Sequence, residues 1–409
     1  MNDNSASSYS SLGDKILRLI NTALMIAFVV FEQESWGKYV YLGFIIVFFI
    51  VFSFKSKFKI ETSLRRYHVY TALFAVFCLV SMLWAQAPSL TYRRMTTVVE
   101  TILFMWVLFL YYKDQKTIQG MLDVIYVAGI IVSIYAIYIY GLSNIRLIIA
   151  SGDRAGNSFT NINTIGMMSA ISLVIVCSRI VNRQYSINML FSIPCLVMVL
   201  ASGSRKAFAI LGIGIVMLFT LKAIKNGNSI LDTMLKVMII VAIVYLSSQI
   251  ILSASTLRSV SAPMMRLFHY FGGSGATDES VRRRMNFFAL GFQQFARTPL
   301  FGLGIGNSSL IIGRDTYLHS NYIELLACGG IVGFLIYYLP HIYIVKKMIQ
   351  LRFVPNEGRD ICVVLLLVLI ICDFGQVSYF SKENYYYLMI LFVHVQQLIY
   401  TKQEDLENN

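Results

Sequence analysis

The chain has 409 residues, of which 57% are hydrophobic and only 13% charged, with a formal net charge of +13. Soluble domains carry about 25% charged residues, so too little charge is present to cover a water-soluble surface of this size. The apolar residues come in blocks of about 17 to 25, the length that crosses a ~30 Å hydrocarbon core. Inside that core every backbone amide needs an internal partner, so the blocks are predicted to be helices of an all-α integral membrane protein.

In chain order the sequence predicts a polar cytoplasmic tail at 1–14 and then twelve spans. These are 15–31, 38–54, 69–86, 95–112, 121–140, 161–178, 186–201, 206–222, 232–252, 319–345, 361–379 and 385–400. Spans one to nine fill 15–252, a large loop occupies 253–318, spans ten to twelve fill 319–400, and a second polar tail ends the chain at 401–409. Lys15 and Arg18 open the first block and no small-residue cleavage site follows, so it reads as a retained helix. Cys78, Cys177, Cys195, Cys328, Cys362 and Cys372 lie inside predicted spans without a CxxC. They read as packing residues. The five histidines lack metal-ligand spacing, and no cofactor or metal is expected.

Lysine and arginine fix the orientation. With both termini inside, the cytoplasmic loops hold Lys55, Lys57, Lys59, Arg65, Arg66, Lys113, Lys116, Arg179, Arg183, Lys222, Lys225, Lys346, Lys347, Arg352 and Arg359. The opposite loops use arginine almost alone: Arg93, Arg94, Arg146, Arg154, Arg205, Arg258, Arg266, Arg282, Arg283, Arg284, Arg297 and Arg314, against Lys38, Lys206 and Lys382. A guanidinium grips phosphate as a planar fork, whereas an ammonium is a point charge. The arginine-rich face therefore points to a phosphate-bearing substrate; attraction to anionic headgroups is the simpler alternative.

The large loop contains one amphipathic helix. Thr277 or Asp278 can cap it, Glu279 favours its first turn, and Pro299 ends it. Val281, Met285, Phe288, Phe292 and Phe295 form its apolar stripe. Such a helix lies in the interface plane or packs on the bundle.

Three segments on the outer side carry the polar chemistry. One is 152–163 with Arg154. The second is the short turn 201–206 with Arg205. The third runs from the Arg282-Arg283-Arg284 cluster through Arg297 and Gly302, Gly304, Gly306 and Asn307 to His319-Ser320-Asn321-Tyr322-Ile323-Glu324. The glycines are no dinucleotide fingerprint, since no strand–helix unit surrounds them. Glu324, like Glu100 and Asp373, is costly inside a span unless it meets a polar cavity or a partner. Taken together, the arginines can hold a lipid pyrophosphate as leaving group. His319, with an unperturbed pKa near ~6.5, or Glu324 can accept a sugar hydroxyl proton.

These motifs resemble the O-antigen ligase / O-antigen polymerase (Wzy-type) superfamily. The residues that carry the resemblance are Arg154-Ala-Gly-Asn-Ser-Phe with Asn161 and Asn163, Gly203-Ser204-Arg205, Arg297-Thr-Pro-Leu-Phe-Gly-Leu-Gly-Ile-Gly-Asn307, and His319-Ser-Asn-Tyr-Ile-Glu324 with Gly329-Gly330-Ile331-Val332-Gly333. The resemblance implies a GT-C-like fold in the bacterial plasma membrane. It implies metal-independent transfer on the outer face from a polyprenyl-pyrophosphate-linked oligosaccharide. Its roles fall on Arg205 and one of Arg282, Arg283 and Arg284 for pyrophosphate contact and on His319 as the base. Beside these, Glu324 is a second candidate for proton transfer, and Arg154, Arg297, Asn321 and Tyr322 are further candidates for substrate contact. The function so implied is polymerisation of lipid-linked repeat units into capsule, exopolysaccharide or O-antigen, with a chain-length regulator and a flippase as partners and no nucleic acid. The alternatives are a ligase that moves finished glycan to an acceptor and a lipid-linked oligosaccharide flippase. A flippase would want central charges and two related halves, and neither is apparent in the sequence.

Overall fold

The computed structural model describes residues 12–32, 34–59, 65–151, 154–156, 160–227, 279–354, 356 and 358–407. Among them there are helices and turns and no strand. The helices in chain order are α1 (Leu12–Val30), α2 (Gly37–Lys55), α3 (Arg66–Val80), α4 (Pro88–Tyr112), α5 (Gln119–Tyr140), α6 (Leu142–Ser151), α7 (Ile162–Val181), α8 (Ile193–Ser202) and α9 (Arg205–Lys225). After residue 278 come α10 (Glu279–Arg297), α11 (Ser308–Ile312), α12 (Asn321–Gln350), α13 (Arg359–Cys372) and α14 (Lys382–Glu407).

Seven helices among the described residues are long and apolar enough to cross a membrane: α2, α3 with its 3₁₀ extension to Leu83, α4, α5, α7, α9 and α12. This is the pattern of a multi-pass membrane protein. Of the other predicted spans, α1 carries Asp14, Lys15 and Arg18 in its first turns. The seventh is a short 3₁₀–α unit over Ile187–Ser202. The eleventh is the 14-residue α13, and the twelfth, α14, is charged at both ends. The ninth, 232–252, lies outside the described residues, as does 253–278 of the large loop.

The helices form two groups. In one, α7 packs on α5, α8 and α9, and α1 packs on α2 and α5. In the other, α12 packs on α3 and α10, and α4 packs on α3 and α14. Helix α13 touches α9 and α14 and joins the groups. Their outer faces remain apolar: Leu42, Ile46, Val47 and Ile50 of α2 are exposed, as suits a lipid-facing side.

A break in α12 positions the end of the bundle that matters here. Gly330 sits inside the helix at φ +63°. The bonds that Ile331 and Val332 would make to Ala327 and Cys328 are replaced by the loop after α10. Leu303 and Gly304 donate to the Ala327 and Cys328 carbonyls at 3.0 and 2.9 Å, and Ile331 and Val332 donate to the Pro299 and Leu300 carbonyls at 2.8 and 3.2 Å. Inserting a segment into the helical ladder is one of the few ways to kink a helix. Close approach requires glycine on both sides. A Cβ on Gly330 would stand 2.3 Å from the Leu300 carbonyl oxygen, and one on Gly302 (φ +67°) 2.4 Å from the Cys328 carbonyl carbon. The same loop ties down α4. The Asn307 side-chain amide donates to Thr91 at 2.7 Å and its oxygen accepts the Ala87 amide at 2.8 Å.

The amphipathic helix is present as α10, but it packs on a different stripe from the one read in the sequence. Phe287 and Gly291 are buried, Phe287 in a small cluster with Leu318, Ile323 and Ala327, whereas Met285 and Phe292 are exposed. The reason is Gly291, whose missing side chain lets α12 approach; a Cβ there would stand 2.3 Å from Ile323 Cγ2. The helix thus packs on the bundle and also leaves apolar side chains outward, where an interfacial helix would meet lipid.

Candidate active site

Segments from both helix groups meet around a polar cavity of about 880 Å³ at one end of the bundle. It is lined by the α1–α2 connection, α4, residues 154–156, the start of α7, the first turn of α9, α10, residues 317 and 319, and the segment that leads into α14. Apart from α4 and α10, which enter as helices, these are connections that the lysine pattern assigned to the outer side.

Local sequence explains how each piece reaches the cavity. Gly203 ends α8 in the left-handed conformation (φ 55°), and Ser204 caps α9 through its hydroxyl, so Arg205 and Lys206 fall in the first turn. That turn also presents the positive end of the helix dipole. Asn161 caps α7 by accepting the Asn163 amide at 3.0 Å. The Asn163 side chain in turn accepts a bond from Arg154 at 2.7 Å. The Ala155 amide donates to the Ala201 carbonyl at 3.0 Å, which holds the Arg154 segment beside the α8–α9 turn.

His319 adopts φ +59°, a left-handed conformation uncommon for a non-glycine residue. Its neighbours hold it there. The Leu318 amide donates to Glu324 Oε2 at 2.9 Å, and the Asn321 amide and Ser320 hydroxyl donate to the Asp373 carbonyl at 2.8 and 3.2 Å. The imidazole stacks on Phe287 with centroids 5.9 Å apart and meets Tyr317 edge-on at 4.6 Å. Burial, together with the Arg284, Lys206 and Arg283 charges, pushes its pKa down to about 4. It is therefore neutral at neutral pH.

Of the residues given a catalytic or substrate-binding role, the cavity brings together Arg154, Arg284 and His319, and the motif residues Asn161 and Asn163 join them. Of the arginine triplet only Arg284 faces it; Arg282 and Arg283 are exposed. Arg205 lines an adjoining apolar groove of about 200 Å³ with Ile210, Ile213, Phe288, Val368 and Ile371. Lys206, Arg284 and Gly375 belong to both spaces. Arg297 is exposed at the end of α10, away from the cavity lining.

Glu324, Asn321 and Tyr322 also lie outside that lining. Glu324 is 1% exposed and engaged with Leu318. Asn321 is fully buried; it donates to Tyr338 and the Asp373 carboxylate, and accepts the Ser378 and Tyr379 amides at 2.9 and 3.0 Å. The Tyr322 hydroxyl donates to the Ile370 carbonyl at 2.7 Å. Asn321 thus holds the start of α12 against the α13–α14 connection, Tyr322 ties it to α13, and Glu324 holds the His319 loop itself.

The cavity also contains Arg94, Glu100 and Lys382, which the sequence marked only by their charge, and Glu32, Tyr317 and Glu383, which it did not mark. Lys206 had a signal, as one of three lysines on an arginine-rich side. Glu32 had none, since a single acid after a span reads as a solvated loop residue. Arg154, Arg284 and His319 all lie within electrostatic reach of Lys206, and Glu32 lies within reach of Lys382 and Glu383. Tyr317 feels both Glu32 and Arg284.

No curated protein matches the chain. Residues 190–338 match the family described as O-antigen ligase. That stretch contains the α8–α9 turn with Arg205 and Lys206, the Arg284 helix, the glycine loop and the broken helix that begins after His319. The match of residues 190–338 to the O-antigen ligase family supports the O-antigen ligase and polymerase superfamily that the motifs resemble.

Proposed function

We propose that the chain is a polysaccharide polymerase, a glycosyltransferase of twelve spans and GT-C-like arrangement. It joins polyprenyl-pyrophosphate-linked repeat units into capsule, exopolysaccharide or O-antigen chains at the outer face of the bacterial plasma membrane. One observation carries this reading: a polar cavity and an apolar groove share Lys206, Arg284 and Gly375 at their junction, with Arg205 in the groove wall. That junction suits a ligand with a sugar end, a lipid end and a charged group between. The prenyl chain lies along the groove and the glycan in the cavity. The pyrophosphate sits among Arg205, Lys206, Arg284 and Arg154, where fixed cations stabilise it as it leaves. Guanidinium and ammonium groups meet the phosphate charge on this reading, so transfer proceeds without a metal ion.

The test is incubation of the purified protein with lipid-linked repeat units, with and without a chelator, followed by a gel of product lengths. A ladder that survives the chelator is expected. Unchanged single repeats, or transport of them without chain growth, would favour the flippase instead. Orientation is tested by a cysteine at Ser35, which lines the cavity. An impermeant thiol reagent should label it in intact cells; labelling only after lysis would place the site inside.

The match to a family described as O-antigen ligase favours a second reading, transfer of finished glycan to another acceptor through the same site. Cells that lack a polymerase accumulate single repeats, whereas cells that lack a ligase accumulate full-length chains on the carrier.

A further inference from the structure

We infer that Glu32, at the end of α1, is the proton acceptor for the incoming sugar hydroxyl, and that the end of the cavity it occupies is the acceptor subsite. The inference rests on the glycosyl-transfer reading above and assigns a task that reading leaves open.

A general base needs a fixed orientation, a free lone pair and access to the reacting proton. Glu32 has the first from α7. The Thr164 and Thr160 hydroxyls donate to its Oε2 at 3.1 and 3.4 Å. Both bonds fall on the same oxygen, and no hydrogen bond to Oε1 occurs among the described residues. Access comes from the cavity, to which Glu32 is exposed.

Position separates it from the other candidates. His319 sits among Arg284, Lys206 and Arg283, where the reading above puts the pyrophosphate. A group there is placed to contact the departing phosphate. Glu324 is buried behind the loop and bonded to a backbone amide. Glu32 has the Glu383 carboxylate and the Lys382 ammonium as its charged neighbours, and both Glu32 and Arg284 act on Tyr317. A sugar bound in the cavity that Glu32 shares with Arg284 and Lys206 has its hydroxyl at the carboxylate and its target carbon beside the phosphate. Desolvation of the carboxylate and the nearby Glu383 raise the Glu32 pKa to about 7, against the lowering effect of the threonine bonds and Lys382, which suits a base working near neutrality.

The step balances as a single displacement. The acceptor O–H gives its proton to the Glu32 carboxylate as its oxygen bonds to the anomeric carbon of the donor. The bond from that carbon to the pyrophosphate oxygen breaks, and its electron pair leaves with the polyprenyl pyrophosphate. The carboxylic acid then returns its proton to cavity water.

The experiment uses full-length protein and the lipid-linked glycan that accumulates in producing cells deleted for this chain. Glu32→Gln keeps an oxygen for both threonine hydroxyls, so protein level and donor KM should hold while kcat falls roughly 10²–10⁴-fold. In Glu32→Ala, added formate should restore part of the lost turnover, which a merely structural carboxylate would not permit. Near-normal kcat in Glu32→Gln, or no response of Glu32→Ala to formate, would overturn the assignment. In either case wild-type turnover of the same glycan leaves the transfer reading standing; absence of wild-type turnover would overturn both.

Discussion

The Leu318 amide donates to Glu324 Oε2 at 2.9 Å, so a carboxylate buried in the first turn of α12 holds the residue next to His319. The sequence singled out both His319 and Glu324 as candidate bases. The structure separates them: one lines the cavity and the other anchors the loop behind it.

This relationship predicts an asymmetric response at Glu324. Glu324→Gln keeps an acceptor oxygen and should retain most stability and turnover. Glu324→Ala leaves the buried Leu318 amide unpaired, at a cost of about 1–3 kcal/mol, and releases the strained His319 conformation. Thermal unfolding in detergent alongside turnover checks the pair. A folded but inactive Glu324→Gln would instead point to carboxylate chemistry at that position.

The crossing of the glycine loop with α12 predicts where substitution is not tolerated. Gly330→Ala combines a left-handed backbone with a Cβ 2.3 Å from a backbone oxygen, and neither side of the contact is a flexible side chain. The variant should fail to accumulate in the membrane. Gly43→Ala, with nothing within 4 Å of its Cβ, should accumulate normally. Quantitative blotting of membrane fractions measures both.

The arginine triplet should split by position. Arg284→Ala removes a group from the junction of cavity and groove and should lower turnover roughly 10²–10³-fold. Arg284→Lys should recover only part of that, because the fork is lost. Arg282→Ala, at an exposed position on the same helix, should stay close to wild type. Equal losses at both positions would mean that the triplet acts as a diffuse surface charge.

The pH profile separates the two candidate bases that share the cavity. His319, with its pKa lowered to about 4, is neutral throughout the neutral range and becomes protonated only well below it. Glu32, with its pKa raised to about 7, loses its basic form as pH falls through neutrality. A base must be unprotonated, so dependence on Glu32 places the acid limb of kcat near 7, whereas dependence on His319 leaves a plateau down to about 4. The limb near 7 is expected, and it should persist in the residual activity of His319→Gln. Glycan turnover from pH 4 to 8 reads the difference.

Membrane helices, their approximate order and the arginine-rich side were legible in the sequence. These are local properties: an apolar run of bilayer length forms a helix wherever it occurs. The superfamily resemblance was legible for a related reason, since glycines at 302, 304 and 330 and the run from His319 to Glu324 mark backbone that must bend or approach closely. What those motifs do was not legible. Most of them are the clamp that holds α4, α10 and α12 together, and only Arg154, Arg284 and His319 among the candidates turn into the cavity. Neighbours on a helix point about 100° apart, so the choice among Arg282, Arg283 and Arg284 belongs to packing against α12. Glu32 and Lys206 are more than 170 residues apart in the chain and line one cavity. No local pattern encodes such a meeting; it depends on how helices distant in the chain assemble, and only the tertiary structure decides that.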